Sequence, residues 1–434
     1  MVFTQVDVLE VRAWGTTVGA LSSGRAGIAS FEYAPGWRDL ELSPLQMPTT
    51  PRGRIWSFPG LASETFHGLP PMIADSAPDR FGNSVIAAAL AREGLRPGEI
   101  RPIDRLAYVG ERAMGALTFH PAQSPGAAAS SLELAQLVEA ARAAVHGSLS
   151  ENGRTDAVTE LLQVGSSAGG ARAKAIIAWN PASDEIRAGG IPAPDGFEQW
   201  LLKFDGVGQD TQLGASGEYG RTEYAYSLMA RASGIEMSEC RLLEEGGRAH
   251  FMTRRFDRPG STGERLHMQS LCAMAAADYN ETGTHDTATL FLVAEEIGLG
   301  PDTLAELFRR ACFNVIAANN DDHTKNHSFI MDRSGKWALS PAYDVTYAYS
   351  PDSEWLRQHL MSVNGKFQGI TAADLLTLAD QFDVPGARDT IAMTVSTVAR
   401  WPEFAAVAGI SQARVAEVEL RLAEVREELG LRRS

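Results

Sequence analysis

Cysteine is scarce in this chain of 434 residues: there are three, Cys240, Cys272 and Cys312. With no C-x-x-C pair and an odd total, they read as buried free thiols in a reducing compartment rather than as a disulfide framework. Basic charge is also short, with Lys+Arg at 39 against Asp+Glu at 54, for a net charge of −15. That excludes a self-sufficient, non-specific nucleic-acid binder, which needs a broad basic face to displace counterions, and leaves open only a local basic patch. Long apolar runs are missing too. The Ser84 to Ala91 run falls short of the ~20 residues of a membrane span and ends at Arg92. The first residues lack a basic segment followed by an apolar one, so no signal peptide is visible. These absences predict a soluble, cytoplasmic protein with no membrane contact. Hydrophobic residues at 44% and charged residues at 21% exclude wholesale disorder. At ~150 residues per domain the length predicts two or three domains. No internal repeat is visible.

Residues 1 to about 120 read as short strands joined by Gly and Pro turns. Val6, Val8 and Val11 precede a Trp14-Gly15-Thr16-Thr17 turn, and further strands are expected near Ala29 to Tyr33 and Ala116 to Phe119. Ser84 to Arg92 predicts a helix capped by Asn83 or Ser84. Pro121 to Ser131, rich in Pro, Gly, Ala and Ser, reads as a linker or exposed loop. A helix is expected at Leu132 to His146, with Leu134, Leu137, Val138 and Ala141 on one face. Apolar runs at Thr159 to Val164, Ala173 to Trp179 and Gln199 to Phe204 read as strands. From Thr222 onward the pattern is mainly helical, clearest at Ala225 to Ala232, Thr287 to Ile297 and Asp302 to Ala318. In Ser411 to Leu429, Val415, Val418, Leu422, Val425 and Leu429 recur at 3-4-3-4 spacing, which fits packing against its own domain better than a coiled-coil seam.

Four features carry chemistry. Gly165 to Lys174 contains Gly165, Gly169 and Gly170, and consecutive N–H groups in such a stretch form an anion nest. Ala171 and Arg172 stand where a Walker A loop needs Lys and Ser/Thr, so the loop reads as joining two strands, as in protein kinases. Asp321 is followed five positions later by Asn326, the Asp-x-x-x-x-Asn spacing of a kinase catalytic loop. Asp322 does not fit that spacing and reads as a loop or capping carboxylate. Asp344, after a short strand at Trp337 to Leu339, supplies the second acidic metal ligand a kinase needs. Lys203, inside the apolar Trp200 to Phe204, must find an anion, and an ATP phosphate is suitable. Taken alone each has a duller reading: a plain loop, or an edge-strand lysine pointing to water. Their order along the chain is the order in which a kinase presents its parts. A competing reading uses His323 and His327, spaced i and i+4 as in a metal-dependent hydrolase, with Asp321 or Asp344 as third ligand. Thr324 stands where a zinc peptidase needs Glu, and that reading leaves Lys203 idle.

With these residues in place, the chain resembles the HipA family of bacterial toxin serine/threonine kinases. The likeness rests on Phe66 to Asn83, Ser167 to Lys174, Arg254 to Arg258, Asp321 to His327, Pro341 to Asp344 and Met361 to Lys366. It implies a bilobal, protein-kinase-like fold, with an α/β amino-terminal region and a mainly α-helical carboxy-terminal lobe. It divides the chain into a small amino-terminal domain (1–125), a kinase N-lobe with the glycine-rich loop and strand lysine (126–256), and a helical C-lobe with the catalytic and metal-binding loops (257–434).

Carried over residue by residue, the resemblance makes Asp321 the catalytic base and places Asn326 and Asp344 on Mg²⁺. ATP would be held by Ser167, Ala168, Gly169, Gly170 and Ala171 of the loop, by Lys203, and by His323 and Lys325. Arg254, Arg255 and Phe256 would lie along the adenine as the hinge. Ser167, or its neighbour Ser166, would be autophosphorylated as an off switch. Glu223 is a candidate partner for Lys203. The implied protein is an ATP- and Mg²⁺-dependent toxin kinase that arrests growth, phosphorylates an aminoacyl-tRNA synthetase, and meets DNA only through a helix-turn-helix, HipB-like antitoxin. The alternatives are a lipid or small-molecule kinase on the same fold, or a non-catalytic antitoxin-binding corepressor.

Overall fold

The computed structural model describes residues 4–24, 27–37, 40–123, 134–145, 161, 172–190, 193–205, 218–245, 247–260 and 263–430. The chain begins with a hairpin of β1 (Val8–Ala13) and β2 (Thr16–Ser22). Its two-residue turn, Trp14-Gly15, has both φ angles positive, at 51° and 80°, the geometry that matches the twist of paired strands. With β3 (Ser30–Tyr33), β4 (Ile55–Trp56) and β5 (Leu117–His120) it forms an antiparallel sheet in the order β4-β3-β2-β1-β5. Strand alternation turns Leu9, Val11 and Ala13 inward and leaves Val8 54% exposed.

The helix expected from Ser84 begins earlier, at Arg80, and runs to Arg92. Its cap is Asp79, whose carboxylate accepts from the Gly82 N–H at 2.7 Å, and not Asn83 or Ser84. Ser84 instead donates its hydroxyl back to Phe81 O. The apolar face of this helix joins that of Leu134–Val145 in one core beneath a second sheet. In that helix Leu137, Val138 and Ala141 are buried, as their spacing predicts. Most of the linker stretch Pro121 to Ser131, and the apolar run Thr159 to Val164 apart from Leu161, lie outside the described residues.

The second sheet contains β6 (Lys174–Trp179), β7 (Ile186–Ala188), β8 (Glu198–Lys203), β9 (Cys240–Glu245) and β10 (Arg248–Arg254). All its pairings are antiparallel, in the order β7-β6-β8-β10-β9. The β9–β10 hairpin falls in the stretch expected to be mainly helical. β9 is an edge strand in which only Cys240 is buried, so Arg241, Glu244 and Glu245 break up the apolar alternation that would have marked it.

Beyond the hairpin a large helical core gathers Tyr219–Ala232, Ala288–Glu296, Pro301–Ile316, Ala372–Gln381, Ala387–Val398, Trp401–Ala408 and Gln412–Glu428. Val415, Val418, Leu422, Val425 and Leu429 are buried in it, so the 3-4-3-4 stripe packs against its own domain. A third sheet, of β11 (His267–Ser270), β13 (Ser328–Met331) and β14 (Trp337–Leu339), stands beside a parallel pair of β12 (His285–Asp286) and β15 (Met361–Ser362). Among the described residues no helix is long and apolar enough to cross a membrane.

Candidate active site

The β13–β14 hairpin explains how two distant loops meet. The chain leaves the helix Pro301–Ile316, passes through Asn320 to His327, and enters β13; it leaves β14 through Ser340 to Asp344. Ser340 N–H bonds to Ser328 O at 3.0 Å, so the antiparallel ladder closes where the two loops begin. Asn326 and Asp344 therefore line the same cavity. Asp344 has φ +55°, a left-handed conformation that Asp tolerates better than most residues.

That cavity measures about 870 Å³. Lys203, Arg254, Arg255, Phe256, His323, Lys325, Asn326 and Asp344, all expected from the sequence, line it. Asp321 does not line it, but its carboxylate lies 3.8 Å from the His323 ring, which does. Met114, Leu201 and Met268 give the cavity an apolar wall, and the Phe256 and Tyr343 rings meet 5.7 Å apart beside it. Ser166, Ser167, Ala168, Gly169, Gly170 and Ala171 lie outside the described residues.

Lys203 ends β8 and is buried between two carboxylates. Its Nζ donates to Glu223 Oε1 at 2.5 Å and to Asp344 Oδ1. Burial alone would push its pKa down, but Asp344 and Glu223 outweigh that and hold it above the usual lysine value. Asp344 gives the reciprocal result: burial opposes its charge, while Lys203 and Lys174 hold the carboxyl well below the carboxylate range. Glu223 is pushed up by burial, despite Lys203. It reaches the lysine because Gly220, one turn earlier, lets the helix lie against β10; a Cβ there would stand 2.1 Å from Ala249 O.

The two adjacent carboxylates of the Asn320 to His327 loop separate cleanly. Asp321 Oδ1 accepts from Trp355 Nε1 at 2.8 Å, and its backbone oxygen accepts from Asn326 Nδ2 at 2.7 Å. Burial pushes the Asp321 pKa up. Asp322 turns the other way. It accepts from His359 Nδ1 at 2.9 Å and from the Leu360 N–H at 2.8 Å, a capping carboxylate within the fold. His323 and His327 do not share a helical face, because the turn between them is a 3₁₀ turn, Thr324–Asn326, and His327 is extended. The i, i+4 chelating arrangement therefore does not form.

Arg255 lies at the cavity, but its guanidinium is spent on structure. It pairs with Asp257 at 2.9 and 2.7 Å, and Asp257 also takes Arg258 Nη1 at 2.6 Å and the Gly115 N–H at 2.7 Å. Ser270 and Trp355 carry no signal in the sequence, and Asp75, although inside the Phe66 to Asn83 stretch, is not singled out there, since each acts through partners 195 or 34 positions away.

An Mg²⁺ ion fits the donors present. Asp344 offers a carboxylate and Asn326 an amide oxygen, its Nδ2 being committed to Asp321; both are the hard oxygen ligands this ion takes.

Two curated domain families match the chain: the HipA N-terminal domain over residues 9–120 and the HipA-like C-terminal domain over residues 166–421. The protein named "Putative kinase Y4dM" of Sinorhizobium fredii is 24% identical over 89% of this chain and 90% of its own. The HipA chain in the Shewanella oneidensis MR-1 toxin–antitoxin complex of HipA, HipB and operator DNA superposes with a TM-score of 0.66, at 18% identity, over 97% of both chains. The kinase CtkA of Helicobacter pylori aligns with a TM-score of 0.39, at 13% identity, over 54% of this chain and 88% of its own. With one family spanning most of its first sheet and the other its second sheet and most of the helical core, the chain belongs to the HipA family.

Proposed function

We propose that this protein is an ATP- and Mg²⁺-dependent serine/threonine protein kinase, the toxin of a toxin–antitoxin pair. One observation carries the reading: Lys203, Asn326, Asp344 and the Arg254 to Phe256 hinge, far apart in sequence, converge on one cavity, with Asp321 beside it. In this reading the chain is bilobal, with residues 1–125, 126–256 and 257–434 as the small domain and the two kinase lobes. The apolar wall of Met114, Leu201 and Met268 would take the adenine.

Asp321 would accept the substrate hydroxyl's proton. Burial has already raised its basicity, and the Trp355 indole holds the carboxylate in place. Lys203 would exchange its contact with Asp344 for a nucleotide phosphate, while Glu223 keeps the ammonium from swinging away. Asn326 and Asp344 would hold Mg²⁺, which when bound neutralises phosphate charge. Asp344, released from Lys203, then gains a cation in exchange for the one it gives up.

The Shewanella HipA was solved with HipB and operator DNA. We assign this chain a helix-turn-helix antitoxin of the same kind, and its charge of −15 supports DNA contact through that partner alone. Its substrate would be an aminoacyl-tRNA synthetase, and its off switch phosphorylation of Ser167 or Ser166. Incubation with labelled ATP, Mg²⁺ and a whole-cell lysate, followed by mass spectrometry, tests the kinase activity, the substrate and the site of autophosphorylation. The expected products are a phosphorylated synthetase and phosphate on Ser167 or Ser166. Label appearing only in lipid or small molecules would overturn the protein-kinase reading, and no label at all would overturn the enzyme.

A further inference from the structure

Asp75 belongs to the amino-terminal part of the chain, directly after the short helix Pro71–Ala74, yet it lines the same cavity as Lys203, Lys325 and Asn326. Ser270 fixes it there. The Ser270 N–H donates to Asp75 Oδ2 at 2.6 Å and its hydroxyl to Oδ1 at 2.7 Å. Ser270 also caps the helix Leu271–Ala275. Thr324, the neighbour of Lys325, donates its hydroxyl to Ala277 O, just past that helix, at 3.0 Å. The Lys325 O in turn accepts from Tyr343 Oη at 2.8 Å. The carboxylate of Asp75 and the turn bearing Lys325 are thus both anchored on one short helical corner.

The two cavity lysines are held differently. Lys203 is closed in by Glu223 and Asp344. Among the described residues no carboxylate comes within ion-pair distance of Lys325, whose ammonium lies 5.1 Å from the Tyr279 ring centroid. Asp75 lines the same cavity, beyond ion-pair distance. A lysine in contact with a carboxylate must break that contact before it takes a phosphate. A lysine that shares its cavity with a carboxylate it does not touch has its donors free and still feels that charge.

We propose that Asp75 is a positioning residue for phosphoryl transfer: lining the same cavity as Lys325 without pairing to it, it keeps that ammonium aimed into the cavity at the transferred phosphoryl group. The amino-terminal part of the chain thereby completes the kinase site. The proposal rests on the kinase reading above.

The test measures transfer of the labelled γ-phosphate from Mg²⁺-ATP to protein by the full-length chain in a whole-cell lysate. Asp75→Asn is expected to lower kcat by about tenfold or more while KM for ATP stays within about threefold. Asp75→Glu, which restores the charge, should recover most of that loss. In a Lys325→Met background, Asp75→Asn should cost no more than about twofold further. Thr65→Val removes a different contact between the same two parts of the chain, the hydroxyl bond to Asp278, and should leave kcat unchanged. An unchanged kcat in Asp75→Asn, a full additive loss in the Lys325→Met background, or an equal fall in Thr65→Val would each overturn the proposal. Should Asp75→Asn fail to fold, Asp75→Ser carries the same cycle. If the wild-type chain transfers label in an Asp321-dependent way while the Asp75 variants match it, only this proposal falls. If it transfers none, both readings fall.

Discussion

Lys174 and Lys203 stand directly opposite each other in neighbouring strands, both buried. Two ammonium groups so placed persist only because carboxylates surround them: Asp79 lies 3.5 Å from Lys174, and Glu223 and Asp344 hold Lys203. Burial pushes the Lys174 pKa down, whereas its neighbour's is held up. A paired charge network of this kind is suited to exchanging partners with a polyphosphate and its metal.

Adjacent carboxylates should give opposite phenotypes. Asp321→Ala should cut phosphoryl transfer roughly 10²–10⁴-fold with nucleotide affinity and melting temperature little changed, as expected for loss of a general base. Asp322→Ala removes the acceptor for His359 and the Leu360 N–H, and should cost about 2 kcal/mol of stability or more. Thermal melts beside phosphoryl-transfer assays separate the two. Equal catalytic losses with equal melts would mean Asp321 is misassigned.

Nucleotide binding should depend on a divalent ion and on Asp344. Asp344→Asn should weaken Mg²⁺-ATP binding by about tenfold or more, since it removes a ligand and also frees Lys203 from one of its two carboxylates. Calorimetry with Mg²⁺ and with EDTA reads this directly. Tight binding in EDTA, unchanged by the substitution, would refute it.

The Asp257 cluster is expected to join the first sheet's segment to the hinge. Asp257→Asn leaves Arg255 and Arg258 buried without their shared counter-charge and should destabilise the fold by about 3 kcal/mol. The folded-state pKa of Asp257 lies below its unfolded value, so its stabilisation is present at neutral pH. It fades as pH falls through the carboxylate range. Denaturant midpoints of wild type and variant should therefore converge on going from pH 7 toward pH 3.

Acid sensitivity should begin earlier, through a buried histidine. Burial lowers the His267 pKa to about 4, and its Nε2 hydrogen bonds to Leu42 O at 2.8 Å as the neutral ring. Between that value and the unfolded pKa of about 6.5, the unfolded chain binds the proton more readily. Stability is thus full above that range and declines as pH drops through it, by roughly 1 kcal/mol at pH 5.5 from this group. His267→Gln should flatten the dependence of melting temperature on pH between 7 and 5. An unaltered slope would show that His267 is not the group responsible.

Much of the site is legible in the sequence itself. Asp321, Asn326, Asp344 and Lys203 announce themselves because a carboxylate at fixed spacing, or a lysine inside an apolar strand, has few chemical reasons to exist. Elements with an unbroken apolar pattern, such as β6, β8 and the final helix, are legible for the same reason. The β9–β10 hairpin is not, because an edge strand buries little and so carries little alternation.

Local pattern by itself determined which side chains carry charge, where glycine frees the backbone, and the order of parts along the chain. Only the tertiary structure decided which charges meet. It turned Asp322 into the fold and left Asp321 beside the cavity, committed the Arg255 guanidinium to Asp257, and brought Asp75 across 195 positions to Ser270 in the cavity that Lys325 lines. The reason is physical: spacing along a strand or turn constrains neighbours a few residues apart, whereas a buried charge selects its partner through desolvation. That selection exists only once distant segments have closed around it.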